Sequence, residues 1–215
     1  MSAHCRKHLP VLLAVLLTAA FLCTACSSPA VSFKPGQRTE TQDTKQYINE
    51  SLGLSFTLPE GWRFYTDTEL QNLMSISGGA IGDPGLLEDA GSGTLYEFIA
   101  AHTGIGDMIT VTADYGNAGM SLERYIKVYR KTLTKQMTNA TCTVGETTEM
   151  VKIGQEIWTY LTADMTVMGI STTQYAFFLK CDEAIVTITV SDVSGETASF
   201  YEGLFTRMTP GQNAG

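Results

Sequence analysis

Cysteines are the residues of this chain whose type and spacing most directly suggest chemistry. Cys23 and Cys26 stand three positions apart in the stretch FLCTACSS. A C-x-x-C pair can act as a redox couple, but thioredoxin-like pairs lie beside a folded βαβ unit. Here the pair ends an apolar run near the amino terminus, which favours a role in export and processing.

The residues before the pair have the pattern of an export signal. Basic residues at positions 6 and 7 precede an apolar run at 11–22, which is interrupted by one threonine. Thr24 and Ala25 are small, as the subsites of a signal peptidase require, and they place the cut before Cys26. An uncleaved anchor is the alternative, because the 18 residues at 9–26 lie near the lower limit of about 17 to 25 residues for a membrane-spanning helix. Either way, we expect the folded part outside the cytoplasm.

Residues 1–26 resemble the lipobox signal of bacterial lipoproteins, in which a cysteine becomes the lipid-modified first residue of the mature chain. The match departs from the family pattern at position −3, where Cys23 replaces the usual leucine. Cys23 itself is a poor attachment point, because Phe21 and Leu22 would then precede the cut, where bulk is excluded. The resemblance implies a signal peptide over 1–25, palmitate-type lipidation at Cys26, and attachment to the extracytoplasmic face of the cell membrane.

The mature chain is acidic. After Cys26 there are 12 basic and 22 acidic residues, a formal charge of −10. This balance gives no electrostatic reason to bind nucleic acid, and it suits a protein held at a membrane by lipid rather than by charge.

Two further cysteines follow the signal, Cys142 and Cys181. In an oxidising compartment they can form one disulfide, closing a loop of about 40 residues and adding roughly 3 to 4 kcal/mol. Two buried, unpaired thiols are the alternative. The sequence leaves both open.

No set of residues predicts catalysis, a cofactor or a metal. His102 is the sole histidine of the mature chain, and it lacks an H-E-x-x-H motif, clustered thiolates or a G-x-S-x-G elbow. We expect His102 to be a partly exposed residue at a strand end, and Asp182 and Glu183 to be solvated turn residues. The glycine-rich segment 77–93 carries three carboxylates and is predicted to be a surface loop rather than a phosphate site.

Alternating and helical patterns indicate the elements that would position these residues. The predicted strands lie at 47–50, 54–58, 95–101, 108–114, 142–153, 156–165, 172–180 and 184–191. Helices are predicted from Thr66 or Asp67 to Met74, over Ser121–Met137, and from an N-cap at Ser194 to Met208. In the second helix the basic residues Arg124, Lys127, Lys131 and Lys135 fall on the face opposite the apolar stripe. This row is predicted to be a solvated face.

The order of elements predicts an α+β fold, with an antiparallel β-sheet of about six to seven strands and helices packed on its faces. The block GLSFTLPEGWRFYTDTEL, with an amphipathic helix midway and a meander closed by a terminal helix, resembles the PsbP-like fold as found in small lipoproteins of Gram-positive bacteria. The resemblance implies an extracytoplasmic or accessory protein that binds other proteins.

The predicted organisation is a signal peptide at 1–25, a lipidated flexible tether at 26–45, a PsbP-like domain at 46–210 and a disordered tail at 211–215. The predicted function is non-catalytic binding of a protein or cell-envelope component, through the sheet edge or the loop at 77–93. The alternative is a small envelope hydrolase or transferase with a site near His102.

Overall fold

The computed structural model describes residues 31–41, 45–77, 80–81, 93–136, 140–167 and 169–207. All of them belong to one compact unit that begins at Val31. The predicted signal peptide, Cys26, most of the glycine-rich segment and the tail at 211–215 lie outside the described residues. No helix in the described part of the chain is both long and apolar enough to cross a membrane.

The described ranges contain thirteen strands and three helices. The strands are β1 (Gln37–Glu40), β2 (Lys45–Asn49), β3 (Leu54–Thr57), β4 (Trp62–Phe64), β5 (Ala80–Ile81), β6 (Thr94–His102), β7 (Met108–Asp114), β8 (Ala140–Val144), β9 (Glu149–Ile153), β10 (Glu156–Val167), β11 (Ile170–Lys180), β12 (Ile185–Asp192) and β13 (Phe205–Arg207). The helices are α1 (Asp67–Ser77), α2 (Leu122–Gln136) and α3 (Ala198–Leu204).

The strands form two sheets. The large sheet has the order β4-β6-β7-β12-β11-β10-β8, with β5 beside β6 and β9 beside β10, and the small sheet has the order β1-β2-β3-β13. All pairings are antiparallel except that of β5 with β6. The antiparallel α+β prediction is confirmed, but the predicted six to seven strands are too few. The unpredicted strands β1, β4, β5 and β13 have only two to four residues each, too short to show an alternating pattern.

The longer elements form where the patterns predict them. The first hairpin pairs β2 with β3 from Gln46 opposite Thr57 to Asn49 opposite Leu54. Asp182 and Glu183 turn the chain between β11 and β12, which pair from Thr173 opposite Asp192 to Lys180 opposite Ile185. Both turn residues are exposed. The apolar stripe of α2 faces the protein at Ile126 and Leu133.

The large sheet is covered on both faces. The small sheet covers one face, where Phe56 stacks on Phe98 with 5.1 Å between ring centroids. Helix α2 covers part of the other face, where Ile126 belongs to a cluster with Leu161 and Phe178. The main core therefore lies between the two sheets, and it is this core that encloses the polar residues described below.

The predicted tether at 26–45 is wrong for residues 31–41. Val31 bridges to Cys181, the side chain of Phe33 is only 3% exposed, and β1 pairs with β2. One buried phenylalanine and a short strand are enough to bind the segment to the domain, although its polar composition suggested a flexible chain. We call residues 31–41 the strap.

The closing helix also differs from its prediction. It begins after Thr197 and ends at Leu204. Ser194 does not act as the predicted N-cap, because its hydroxyl instead donates to Asp192 Oδ1 at 2.7 Å. The chain then returns to the extended conformation, and Phe205 packs its ring 5.0 Å from Phe56. The C-terminal segment therefore supplies an edge strand of the small sheet.

Candidate functional site

A cleft of about 590 Å³ opens beside the strap. Its lining comes from β1 and the residue before it, from the segment that enters α1, and from β6: Gly36, Gln37, Arg38, Glu40, Tyr65, Thr66, Asp67 and Glu97. The cleft therefore exists only because the strap is docked. A cleft of this size is within the range of small-molecule sites, about 300 to 1,000 Å³.

Glu97 is brought to this cleft by a β-bulge. The pairing of β6 with β7 shifts between Tyr96 and Phe98, which leaves Glu97 without a partner in the register. An extra residue of this kind redirects neighbouring side chains. Glu97 and Phe98 consequently both face the small sheet, although they are adjacent in sequence: Glu97 bonds to Tyr47 and Phe98 packs against the same tyrosine ring.

The carboxyl group of Glu97 is buried and only half satisfied. Glu97 is only 4% exposed. Its Oε2 atom accepts hydrogen bonds from the Gly36 amide at 2.7 Å and from the Tyr47 hydroxyl at 2.8 Å. Oε1 is buried and has no hydrogen-bond partner. Burial raises the pKa of Glu97 to about 7, against the opposing effect of the two donors. Near neutral pH this group is therefore partly protonated.

Tyr47 and Asn49 of β2 hold Oε2 in place. The Tyr47 ring lies 4.7 Å from that of Phe98, and its hydroxyl accepts a hydrogen bond from Asn49 Nδ2 at 3.1 Å. The same amide group donates to the Lys34 carbonyl at 2.9 Å. Burial, and then the charge of Glu97, raise the pKa of Tyr47 well above 10, so the hydroxyl remains a donor.

Gly36 is required by close approach. A Cβ atom at this position would lie 2.4 Å from the ring of Tyr47, which is too short for any real contact. The absence of a side chain lets the backbone amide reach Glu97 Oε2.

The opposite rim of the cleft is fixed by ion pairs. Arg38 forms a salt bridge with Asp67 and donates to the Tyr65 carbonyl at 2.9 Å. Thr66 and Glu69 form a capping box at the start of α1, with the Glu69 amide donating to Thr66 Oγ1 at 3.2 Å and the Thr66 amide donating to Glu69 Oε2 at 2.8 Å. This confirms the predicted cap.

Arg63 reinforces that cap. It makes two hydrogen bonds of 2.8 Å to the Glu69 carboxylate, which lower the pKa of Glu69 to about 2. Its guanidinium also lies over the Tyr65 ring, 5.1 Å from the centroid. The rim is thus a network of paired charges, whereas Glu97, which also lines the cleft, has one carboxyl oxygen without a hydrogen-bond partner.

His102 lies far from a catalytic arrangement. It ends β6, is half-buried, and packs edge-on against Trp62 at 5.9 Å between ring centroids. Its Nδ1 accepts hydrogen bonds from the amides of Gly104 and Ile105, both at 3.1 Å. These bonds close the turn between β6 and β7, and they agree with the predicted strand-end role.

The structure does not pair Cys142 with Cys181. Both thiols are free. Cys142 lies opposite Met165 of β10, which lies opposite Thr172 of β11, nine residues before Cys181. At about 3.3 Å per residue the separation is about 30 Å, whereas a disulfide needs Cα atoms within about 7 Å. Of the two alternatives, the chain adopts two unpaired thiols.

The predicted basic row of α2 is solvated. Arg124, Lys127, Lys131 and Lys135 are exposed, as predicted. In the ranges that the structure describes, no group of three histidine, cysteine, aspartate or glutamate side chains is arranged to hold a metal ion.

Sequence reasoning missed Glu97 and the strap. The available signal is local: Glu97 is a carboxylate inside the apolar run LYEFIA, and charged residues are almost never fully buried unless they are paired. For the strap, the signal is Phe33 within an otherwise polar segment.

The fold and the cleft together define an α+β domain of two packed antiparallel sheets with a buried carboxyl group at its cleft. No protein-family model matches the chain, and no curated protein matches it. Several solved structures have a partly similar fold, among them the following three. A protein of Bacteroides thetaiotaomicron VPI-5482 is 15% identical with a TM-score of 0.40, over 80% of this chain, and this chain spans only 51% of it.

The second is a protein of unknown function from Pseudomonas aeruginosa, 8% identical with a TM-score of 0.37, over 79% of this chain and 91% of the other. The third is the cyanobacterial PsbP protein CyanoP from Synechocystis, 9% identical with a TM-score of 0.37, over 85% of this chain and 94% of the other. Likenesses this distant do not assign a function.

Proposed function

We propose that the chain is a membrane-anchored extracytoplasmic lipoprotein that binds a protein or another cell-envelope component and does not catalyse a reaction. The anchor is a lipid on Cys26, supported by the basic and apolar signal at 6–22 and the small residues before the cut. A PsbP-like domain is part of the proposal, supported by the LPEGW block and by an antiparallel sheet that carries α2 on one face.

The observation that carries the binding role is the Glu97 cleft. A buried polar atom without a partner is rare in native proteins, and a bound water, ion or ligand is one common explanation for it. Glu97 Oε1 is such an atom, and Glu97 lines a cleft of suitable volume. β-Bulges are over-represented next to active sites, where they redirect a side chain, and Glu97 lies at such a bulge.

The alternative of a hydrolase near His102 has no observation in its favour. In the described part of the chain, His102 Nδ1 is already occupied by two backbone amides, and its ring packs against Trp62. These contacts support a role of His102 in the turn.

Photo-crosslinking in intact cells tests the binding role. A photoreactive phenylalanine analogue replaces Gln37, an exposed residue of the cleft lining, or Val128, which is 48% exposed on α2 and serves as the control. We expect an envelope component to be crosslinked from position 37 and not from 128, and the product to be lost in Glu97→Gln. Identical products from both positions, or a product that persists in Glu97→Gln, would contradict the proposal.

A further inference from the structure

We infer that the ligand of the Glu97 cleft presents an organic cation with N–H donors, an alkylammonium or guanidinium group, to Glu97 Oε1. This inference rests on the proposed function, because it names the ligand class of the same cleft. It follows from hydrogen-bond capacity, from charge, and from the size and composition of the cleft.

The hydrogen-bond argument requires a donor. An ionised carboxylate only accepts hydrogen bonds. Oε2 already has two donors, the Gly36 amide and the Tyr47 hydroxyl, both from the small-sheet side. Oε1 has none. A ligand that completes this carboxylate must therefore bring an N–H or O–H group.

The charges of the cleft favour a ligand that is a cation. The cleft lining contains three carboxylates, those of Glu40, Asp67 and Glu97, and one cation, Arg38. Arg38 is engaged by Asp67, and Glu40 has Lys45 at 3.6 Å. Ionised Glu97 is the member without a cationic partner, and a buried charge of this kind is costly unless it is paired.

The composition of the cleft favours an organic cation over a metal ion. Calcium takes six to eight oxygen ligands, yet the Asp67 and Glu40 carboxylates are held in ion pairs at the rim. An alkylammonium or guanidinium needs few acceptors, and charge-assisted hydrogen bonds to a carboxylate are about twice as strong as neutral ones. The volume of about 590 Å³ also leaves room for the body of a ligand.

Proton linkage gives the inference a signature. The groups that face Glu97 are Tyr47 from β2, Arg38 and Glu40 from β1, Asp67 at the start of α1, and Tyr115 after β7. The pKa of Glu97 is raised to about 7 by burial, and only its ionised form pairs with a cation. The ionised fraction rises about tenfold between pH 6 and 8, so cation affinity should rise by about the same factor.

The test is an NMR titration of the full-length protein in detergent, read at the Gly36 amide, which donates to Glu97. The probes are n-butylammonium, n-butylguanidinium, tetramethylammonium, n-butanol, Ca²⁺ and Mg²⁺. We expect one or both of the first two to shift the Gly36 signal to saturation, with affinity about tenfold higher at pH 8 than at pH 6. Affinity should fall at least tenfold in Glu97→Gln and stay unchanged in the control Glu183→Gln, which removes an exposed carboxylate from a turn.

Several results would overturn the inference. Equal binding of n-butanol would remove the need for charge, equal binding of tetramethylammonium would remove the need for N–H donors, and saturation by a divalent metal alone would assign a metal site. If Glu97→Gln fails to fold, the pH dependence of the unmodified protein decides. If neither N–H cation binds but Glu97-dependent crosslinking at position 37 persists, the ligand class is wrong and the proposed function stands. Loss of that dependence would overturn both.

Discussion

At the residue scale, Glu97 depends on three independent features of the chain. The bulge in β6 turns the side chain toward the small sheet, Gly36 lets a backbone amide reach it, and Tyr47 supplies a hydroxyl at 2.8 Å. Together they hold one carboxyl oxygen rigidly and leave the other unpaired. Such an arrangement fixes the group in place and leaves Oε1 without a partner among the described residues.

The pKa of Glu97 makes stability depend on pH. Because the folded-state pKa is about 7 rather than 4.5, the folded protein retains a proton that the unfolded chain loses between these values. The resulting stability is fully present below pH 4.5 and is lost as the pH rises through 7. The free energy of unfolding of the unmodified protein, relative to Glu97→Gln, should therefore fall by up to about 3 kcal/mol between pH 5 and pH 8.

Urea unfolding at several pH values measures this difference. Glu183→Gln is the matched control, because Glu183 is exposed in a turn, and its difference from the unmodified protein should vary little with pH. A Glu97→Gln difference that is equally flat would show that Glu97 titrates normally.

The two thiols should differ in reactivity. Burial raises the pKa of Cys181 to about 12 and also raises that of half-buried Cys142, and the thiolate is the reactive form. In native protein at pH 8, we expect maleimide to modify Cys142 slowly and Cys181 hardly at all, whereas both should react in denaturant without reductant. Peptide mass spectrometry separates the sites, and a disulfide-linked peptide containing both cysteines would contradict the free thiols.

At the element scale, the strap determines whether the cleft exists. Phe33 is buried in the main core, with its ring 6.1 Å from that of Tyr115. Four register pairs join β1 to β2. The segment therefore contributes a wall of the cleft and a part of the core, instead of serving only as a connection to the anchor.

Phe33→Ala should reveal this packing. Removing a buried phenylalanine side chain commonly costs about 3 to 5 kcal/mol, and because the strap lies at the edge of the small sheet we expect about 2 to 4 kcal/mol in the free energy of unfolding. Hydrogen exchange should also show loss of protection at Gly36. Ile105→Ala, at an exposed turn residue, is the control and should be close to neutral. Equal stabilities of the two variants would indicate that the strap is not docked.

Sequence patterns predict elements where a periodicity is long enough to be recognised. The eleven residues of β11 and the fifteen of α2 show it clearly, and both form as predicted. The three residues of β13 do not, and the burial of Phe205 against Phe56 depends on a partner that is about 150 residues away in sequence. Glu97 was missed for a similar reason, since a bulge and its contacts with Gly36 and Tyr47 are set by tertiary packing.

At the scale of the whole molecule, the docked strap leaves few residues between the domain and the proposed lipid site. Only residues 27–30 separate Cys26 from Val31, and the five residue steps from Cys26 to Val31 span at most about 18 Å. The tether predicted from composition, with about twenty residues, would have had a typical span of about 25 Å. Lipidation at Cys26 would accordingly hold the docked strap closer to the lipid than the tether predicted from composition would.

Metabolic labelling with an alkynyl fatty acid tests the anchor. We expect the chain to be labelled and recovered with membranes, because Cys26 follows two small residues at the predicted cut. Cys26→Ala should abolish the label, whereas the control Cys23→Ala should keep it. A label that depends on Cys23, or no label in the unmodified chain, would contradict lipidation at Cys26.

We propose that the Glu97 cleft faces the outside of the cell and is occupied there by its ligand. The most direct measurement is the rate at which a membrane-impermeant maleimide modifies Gln37→Cys in intact cells. Cys142→Ser removes the background reaction, and Thr147→Cys, at an exposed remote site, is the control. We expect Gln37→Cys to be modified without lysis, at a lower rate than in the purified protein. Adding Glu97→Gln should raise this rate, whereas the rate at the control site Thr147→Cys should stay unchanged. Modification only after lysis, or a rate that is the same with and without Glu97→Gln, would contradict it.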